Sequence, residues 1–98
     1  MDDKNMVSAD EEIQTLSKKS QKTLDKINNR PILGTIPWSD IEKLFISLGA
    51  EIEERQGSRV AIIYKDKVYG FHRPHPQNVT DKGAVSSVKA ILKEHGVL

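Results

Sequence analysis

The chain contains no cysteine, which excludes both a disulfide-stabilised scaffold and a zinc site built from thiolates. No apolar run approaches the roughly 20 residues that span a bilayer, and the N-terminus lacks the apolar core of a signal peptide. Net charge is almost absent too, because 15 Lys and Arg offset 14 Asp and Glu. We therefore expect a soluble, cytoplasmic protein without a membrane partner. Its positive charge, if it serves binding, must be concentrated on one part of the surface.

Basic residues are concentrated in one part of the chain. The first dozen residues are acidic, whereas residues 55–93 hold most of the remaining Arg, Lys and His. The length of 98 residues suits one small domain with an added arm. We predict a flexible start and an N-terminal helix over residues 1–30, followed by one domain over residues 31–98.

Hydrophobic spacing predicts three helices, over residues 9–28, 38–50 and 81–95, with Ser8 as the N-cap of the first. Their apolar positions recur at helical intervals: Ile13, Leu16, Leu24 and Ile27; Ile41, Leu44, Phe45 and Leu48; Val85, Val88, Ile91 and Leu92. The stripe of the first helix is sparse, so we expect that helix to dock on another surface. Glycines are placed to end the other two helices, at Gly49 and Gly96.

Three strands are predicted between the second and third helices. Residues 59–65 and 68–73 are rich in Val, Ile, Tyr and Phe, and residues 50–54 form a shorter candidate. The order of elements predicts an α+β fold. Its two layers are a three-stranded antiparallel sheet and helices covering one face of that sheet (α-β-β-β-α), with an extra N-terminal helix.

The predicted hairpin places a cation and an imidazole on one face of the sheet. With Asp66 and Lys67 as the two central turn residues, Arg59 and His72 become diagonal neighbours beside the small residues Ala61 and Gly70. The opposite face is then the core face, formed by Val60, Ile62, Tyr64, Tyr69 and Phe71. A slip by one residue would reverse His72 relative to Arg59.

Residues 38–98 contain, in this order, a helix ending "LGA", a "GS" turn, a "PHP" after the third strand, and a "KG" that starts a last helix ending "GV". With these features the segment resembles the HicA toxins of bacterial HicA–HicB toxin–antitoxin pairs. The resemblance implies a fold similar to double-stranded-RNA-binding domains, ribosome-independent cleavage of messenger RNA, and neutralisation by a HicB-type antitoxin. The usual family motif is Gly-Ser-His with a catalytic histidine, whereas this chain has Gly57-Ser58-Arg59 within a subgroup that has "FHRPHP".

Metal-free RNA cleavage needs a base for the 2′-OH proton, an acid for the leaving 5′-oxygen and a cation for the charged phosphorane. We hypothesise that His72 is the base or the acid, displaced onto a neighbouring strand, and that Arg59 clamps the phosphate. The alternative is that neither residue is catalytic: His72 then only caps the edge of the sheet, and Arg59 is an ordinary solvated surface charge.

Further residues are candidates for RNA contact. His75 is held between two prolines, and Lys82 lies at the start of the last helix, where free N–H groups favour a phosphate. The full set of predicted RNA-binding residues is Gly57, Ser58, Lys65, Arg73, His75 and Lys82. His72 and His75 lack a third ligand at suitable spacing, so neither a metal nor another cofactor is expected.

Two other functions fit the same residues. One is a non-catalytic module that binds RNA or protein and has lost cleavage together with the usual histidine. The other is an interaction domain that dimerises through its N-terminal helix. Trp38 precedes a predicted capping box formed by Ser39 and Glu42, and we expect it to fix the start of that helix rather than to stack on a base.

Overall fold

The computed structural model describes residues 16–98, in which three helices accompany one antiparallel sheet. The elements in chain order are α1 (Lys18–Ile27), α2 (Trp38–Ser47), β1 (Glu51–Glu54), β2 (Arg59–Tyr64), β3 (Lys67–His72) and α3 (Lys82–Glu94). This order confirms the predicted α+β arrangement of α-β-β-β-α with an additional helix in front. None of these three helices is long and apolar enough to cross a membrane.

Helix α1 begins later than the sequence pattern predicts. Ser17 is its N-cap, with extended backbone at φ −60° and ψ 159°, and its hydroxyl accepts a hydrogen bond from the Ser20 N–H at 3.1 Å. A continuous helix over residues 9–28 is therefore wrong at Ser17, because a serine side chain that binds a backbone N–H favours a helix start over a helix interior. The predicted N-cap Ser8 and the apolar Ile13 lie outside the described residues.

The apolar side of α1 packs into the core of its own domain. Leu24 and Ile27 are 5% and 0% exposed, and they belong to the same cluster as the buried side chains of α2 and α3. The neighbouring buried Thr23 also has a partner, since its hydroxyl donates to the Lys19 carbonyl at 3.2 Å. Helix α1 therefore folds back on the sheet domain and contributes to the same core as the other two helices.

The start of α2 differs from the predicted capping box. Pro37 occupies the N-cap position without a side-chain hydrogen bond, and the helix begins at Trp38. Ser39 therefore lies inside the first turn, where its backbone N–H and hydroxyl bind the side chain of Asn78. Glu42 instead accepts a hydrogen bond from the Trp38 indole. The capping box is wrong because the helix begins two residues too early for it, with Pro37 and not Ser39 at the N-cap.

The hairpin between β2 and β3 turns one residue earlier than predicted. Lys65 and Asp66 are its central residues, with φ of 50° and 67°, so both occupy the left-handed region that tight hairpin turns require. Tyr64 consequently pairs with Lys67, whereas the predicted partner was Tyr69. Each residue's partner is shifted by two positions, and an even shift leaves every side chain on its predicted face.

The sheet has the strand order β1-β2-β3, and one of its faces lies against the helices. Val60, Ile62 and Tyr64 are at most 2% exposed on that face, as the alternation predicts. The predicted apolar residues of α2 and α3 are also buried: Ile41, Leu44, Phe45, Leu48, Val85, Val88, Ile91 and Leu92. Gly49 and Gly96 have φ of +96° and +75°, which confirms their predicted positions after the two helices.

Candidate functional site

Arg59 and His72 are direct cross-strand partners on the open face of the sheet. The predicted diagonal relation is corrected to a closer one, because the hairpin register shifts by two positions. Directly opposite residues in an antiparallel pair have Cβ atoms about 5 Å apart and share one face of the sheet. Both side chains are exposed, so the guanidinium and the imidazole reach the same small region of solvent.

The sheet surface next to this pair is recessed, because two small residues lie there. Ala61 is 4% exposed, and a Cβ added at Gly70 would have no neighbouring atom within 4 Å. Together they form the floor of an open depression of about 320 Å³, whose lining also includes Arg55, Arg59 and His72. The two small residues thus leave room for a ligand between the cations and the imidazole, as the sequence predicts.

The Gly57-Ser58 turn holds the start of β2 at this end of the sheet. Gly57 has φ of +70°, a conformation that favours glycine, and the Ser58 carbonyl accepts a hydrogen bond from the Arg73 N–H at 2.8 Å. Arg59 donates from Nε to the Gln56 carbonyl at 3.3 Å. The turn therefore places its own backbone beside the Arg59 guanidinium.

Arg73 points to the helix side of the sheet, away from His72. Its Nε and Nη2 donate to the Glu42 carboxylate at 2.7 and 3.2 Å, and its Nη1 lies 3.2 Å from a Glu54 oxygen. The hydrogen bond to Glu42 is the largest cause that raises the pKa of Arg73. The structure consequently separates this predicted RNA contact from the Arg59–His72 pair.

The other predicted RNA contacts are dispersed. Lys65 lies in the hairpin turn at the far end of the sheet, with its Nζ 5.6 Å from the centre of the Tyr64 ring. Lys82 starts α3 and lies over Gly34, where an added Cβ would be 3.3 Å from the Lys82 Cγ. His75 is exposed in the proline loop, beside an open depression of about 400 Å³.

The N-terminus of α3 is capped by the chain itself. The Asp81 carboxylate accepts a hydrogen bond from the Ala84 N–H at 3.2 Å. This negative group occupies the position where we expected a phosphate, although the adjacent Lys82 is exposed. The helix end is therefore a weaker anion site than its sequence indicates.

The match to a family model decides the class of this protein. The model of the HicA toxin of bacterial toxin–antitoxin systems matches residues 38–97, which is more than half of the chain. The chain belongs to the HicA toxin family. No match was found among curated proteins or among solved structures. Membership makes the protein a toxin of a toxin–antitoxin system, with an antitoxin as partner and RNA as the general class of substrate.

Arg55 also lines the depression beside Arg59 and His72, and it was not identified from the sequence. It follows β1, and its backbone N–H donates to the Arg59 carbonyl at 2.9 Å. This hydrogen bond continues the pairing of β1 with β2 up to the Arg59–His72 pair. The Arg55 guanidinium lies 2.9 Å from a Glu53 oxygen on the same face. The sequence did contain an indication of this position, because the short turn over residues 56–58 brings Arg55 at the end of β1 beside Arg59 at the start of β2.

A second polar cluster lies at the opposite end of the HicA domain, where β3 meets the end of α3. Lys67 donates a hydrogen bond to Glu94, which raises the pKa of Lys67 and lowers the pKa of Glu94. The Tyr69 hydroxyl lies 2.8 Å from His95 Nε2, and burial raises the pKa of Tyr69. Within residues 16–98 no group of three His, Cys, Asp or Glu side chains is arranged to hold a metal ion.

Trp38 has the structural role that the sequence predicts. It is 3% exposed, and its ring centre lies 5.3 Å from that of Phe71. Its indole N–H donates to Glu42, the same carboxylate that binds Arg73. The tryptophan is therefore buried below the site and joins the first turn of α2 to the end of β3.

Proposed function

We propose that this HicA toxin cleaves messenger RNA in the cytoplasm and that a HicB-type antitoxin neutralises it. The observation that supports this proposal is the direct pairing of Arg59 with His72 on an exposed face of the sheet. Arginine is a permanent cation and histidine is the side chain that most often serves as a general acid or base, and a phosphodiester cleavage site needs both roles.

The proposed reaction is an internal transfer. The 2′-oxygen of the RNA attacks the neighbouring phosphorus as it loses its proton, and the bond from phosphorus to the 5′-oxygen breaks as that oxygen gains a proton. His72 either accepts the first proton or donates the second, and a solvent water takes the other role. Arg59 binds the non-bridging oxygens, whose negative charge increases in the transition state.

The surrounding residues contribute unequally to the proposed RNA contacts. Gly57 and Ser58 lie beside Arg59, so their turn is placed to contact the sugar–phosphate backbone. Lys82 and His75 also remain proposed RNA contacts, since both side chains are exposed in the segment that follows β3. Lys65 lies at the far end of the sheet and is proposed to act mainly through charge. Arg73 is proposed to contribute least, since Glu42 and Glu54 compensate its charge.

The decisive experiment is cleavage of a defined messenger RNA by the His72→Ala protein. We expect the rate to fall at least about 100-fold, the usual effect of losing a general acid or base. His95→Ala is the matched control, because this histidine lies in the cluster at the other end of the sheet. Cleavage by His72→Ala at the wild-type rate would overturn the assignment.

Neutralisation is tested in cells. Expression of the chain alone should arrest growth, and co-expression of the reading frame adjacent to its gene should restore it. Persistent arrest would contradict the proposed partner. The double variant Arg59→Gln with His72→Ala should abolish the arrest, which links toxicity to this face of the sheet.

Arg59 itself favours a second candidate function, a non-catalytic RNA-binding module. In this chain an arginine occupies the position where the family usually has its catalytic histidine, and an arginine binds phosphate without transferring protons at neutral pH. A purified protein that binds RNA in a salt-dependent manner but yields no cleavage product would select this candidate.

A further inference from the structure

Strand β3 lies at an edge of the sheet, and alternate residues along it direct their backbone groups away from β2. In a two-residue hairpin the pair that closes the turn is hydrogen-bonded, and bonded and non-bonded pairs then alternate. Counting from the closing pair Tyr64–Lys67, the pair Ser58–Arg73 should be hydrogen-bonded, and the Arg73 N–H does donate to the Ser58 carbonyl at 2.8 Å. The N–H and C=O groups of Val68, Gly70 and His72 therefore point outward.

This edge lacks the features that usually block further strand pairing. Apart from Lys67 at its start, β3 contains no Lys, Arg, Asp or Glu, and it contains no proline. The other edge, β1, is only four residues long and has glutamates at positions 51, 53 and 54. Of the two edges, β3 is the one that can accept another strand.

There is space on both sides of this edge for the side chains of an added strand. On the helix side, an open groove of about 460 Å³ runs between β3 and the small residues Ala84, Ser87 and Ala90 of α3. On the open side, Val68 is 62% exposed and Gly70 has no side chain. Successive residues of an extended peptide point to opposite sides, so the groove and the open face would receive alternate side chains.

Charge indicates which occupant fits. The open face beside this edge has Arg59 and His72, while the carboxylates of that face, Glu51 and Glu53, lie two strands away on β1. We propose that an extended acidic segment of the antitoxin adds to β3 as a fourth strand. Its small side chains enter the groove, and a carboxylate lies over the Arg59–His72 pair. This inference rests on the proposed function, because it takes the antitoxin as the partner.

Such a strand would inhibit the toxin by occupying the site directly. The His72 backbone would bind the added strand, and the carboxylate would take the place of the substrate phosphate at Arg59. A second copy of this chain is the competing occupant, because the acidic β1 of one copy could pair with β3 of the next. That arrangement is head-to-tail and would continue into longer assemblies.

The test compares proline with alanine at position 70. Gly70→Pro removes one outward N–H without removing a hydrogen bond to β2, and Gly70→Ala provides the reference that keeps this N–H. We expect Gly70→Pro to bind the purified product of the adjacent reading frame at least about tenfold more weakly than Gly70→Ala. Glu54→Pro places a proline on the other edge and should bind like the wild type.

Hydrogen exchange provides a measurement that needs no variant. On complex formation the amides of Val68, Gly70 and His72 should exchange at least about tenfold more slowly, as a new strand ladder requires. A complex that leaves these three amides unprotected would overturn strand addition and leave the proposed function intact. If no complex forms at all, the proposed neutralisation fails and this inference fails with it.

Self-association is tested separately by sedimentation of the chain alone. We expect a monomer at micromolar concentration. Larger species that Gly70→Pro converts to a monomer would overturn the inference, since they would assign the β3 edge to a second copy of this chain.

Discussion

Glu42 accepts two hydrogen bonds from Arg73, at 2.7 and 3.2 Å, and so joins the first half of α2 to the residue that follows β3. The Arg73 backbone is still paired to the Ser58 carbonyl, so side chains continue to alternate at this point. With Arg73 held on the helix side, His72 has to project from the open side. The ion pair thus fixes the direction of the imidazole, although it does not touch it.

Loss of this carboxylate should destabilise the domain. Glu42→Leu leaves the Trp38 indole and the Nε and Nη2 groups of Arg73 without their acceptor, while Arg73 Nη1 keeps its contact with Glu54. We expect the free energy of unfolding to fall by about 1–2 kcal/mol. The value is at the lower end for a charged hydrogen bond because the Arg73 side chain is 33% exposed. Glu54→Gln, whose side chain is 78% exposed, should cost less than about 0.5 kcal/mol. Equal losses in urea titrations of the two variants would contradict this role of Glu42.

The Arg59 guanidinium should contribute most of the local phosphate attraction. In the proposed function, Arg59→Gln lowers kcat/KM for RNA by roughly 10- to 100-fold and reduces the salt dependence of RNA binding by about one phosphate contact. The measurement is the slope of the logarithm of the RNA-binding constant against the logarithm of salt concentration. Lys26→Gln removes the same charge from the exposed side of α1 and should change this slope much less. If Arg59→Gln keeps the wild-type slope, Arg59 does not contact the phosphate.

Helix α1 should be part of the cooperative unit. Ile27 is fully buried, and Ile27→Ala removes its contacts with the cluster shared by α2 and α3. We expect a loss of about 2–4 kcal/mol in the free energy of unfolding, the usual cost of a core truncation. Lys22→Ala on the exposed side should change it by less than about 0.5 kcal/mol. Circular dichroism during urea unfolding should show one transition, and a separate early transition for α1 would contradict the prediction.

The Lys67–Glu94 pair predicts a pH dependence of stability. The pKa of Glu94 is lowered in the folded state, so this carboxylate stabilises the fold above its unfolded pKa of about 4.3 and loses that effect as the pH falls through the folded value. The pKa of Lys67 is raised, so its contribution is present below about 10.4 and is lost as the pH rises through the folded value.

Glu94→Gln should therefore lower the free energy of unfolding at pH 7, and its difference from the wild type should decrease as the pH falls toward 3. Urea titrations at pH 7, 5 and 3 measure this difference. The double variant with Lys67→Gln should lose less than the sum of the two single variants at pH 7. A difference that is the same at pH 7 and pH 3 would assign the effect to packing and not to charge.

Much of the fold was predictable because it depends on side-chain periodicity. The apolar intervals of α2 and α3 are regular, and the faces of the hairpin depend only on whether the register shift is even or odd. For this reason Arg59 and His72 were placed correctly on one face although the turn was assigned one residue late. The turn itself was missed because Lys65 adopts a positive φ that its residue type seldom favours.

Other features depend on contacts between distant residues, which local patterns do not contain. Glu42 fits a capping box by spacing, but its carboxylate is used by Trp38 and by Arg73, 31 positions further along the chain. Arg73 was likewise expected to face RNA because nothing near it in sequence indicates its acidic partners. The start of α1 at Ser17 was missed because helical spacing alone does not show which serine caps the helix.

The near-zero net charge conceals a separation of charge across the sheet. On the open face, Glu51 and Glu53 of β1 lie along one border, whereas Arg59 lies on the central strand and His72 lies on β3 at the other border. A long polyanion approaching the domain would be repelled at the first border and attracted at the second. The sheet would thereby select the direction of approach before any contact forms, so an overall charge of +1 understates how strongly this surface distinguishes one side from the other.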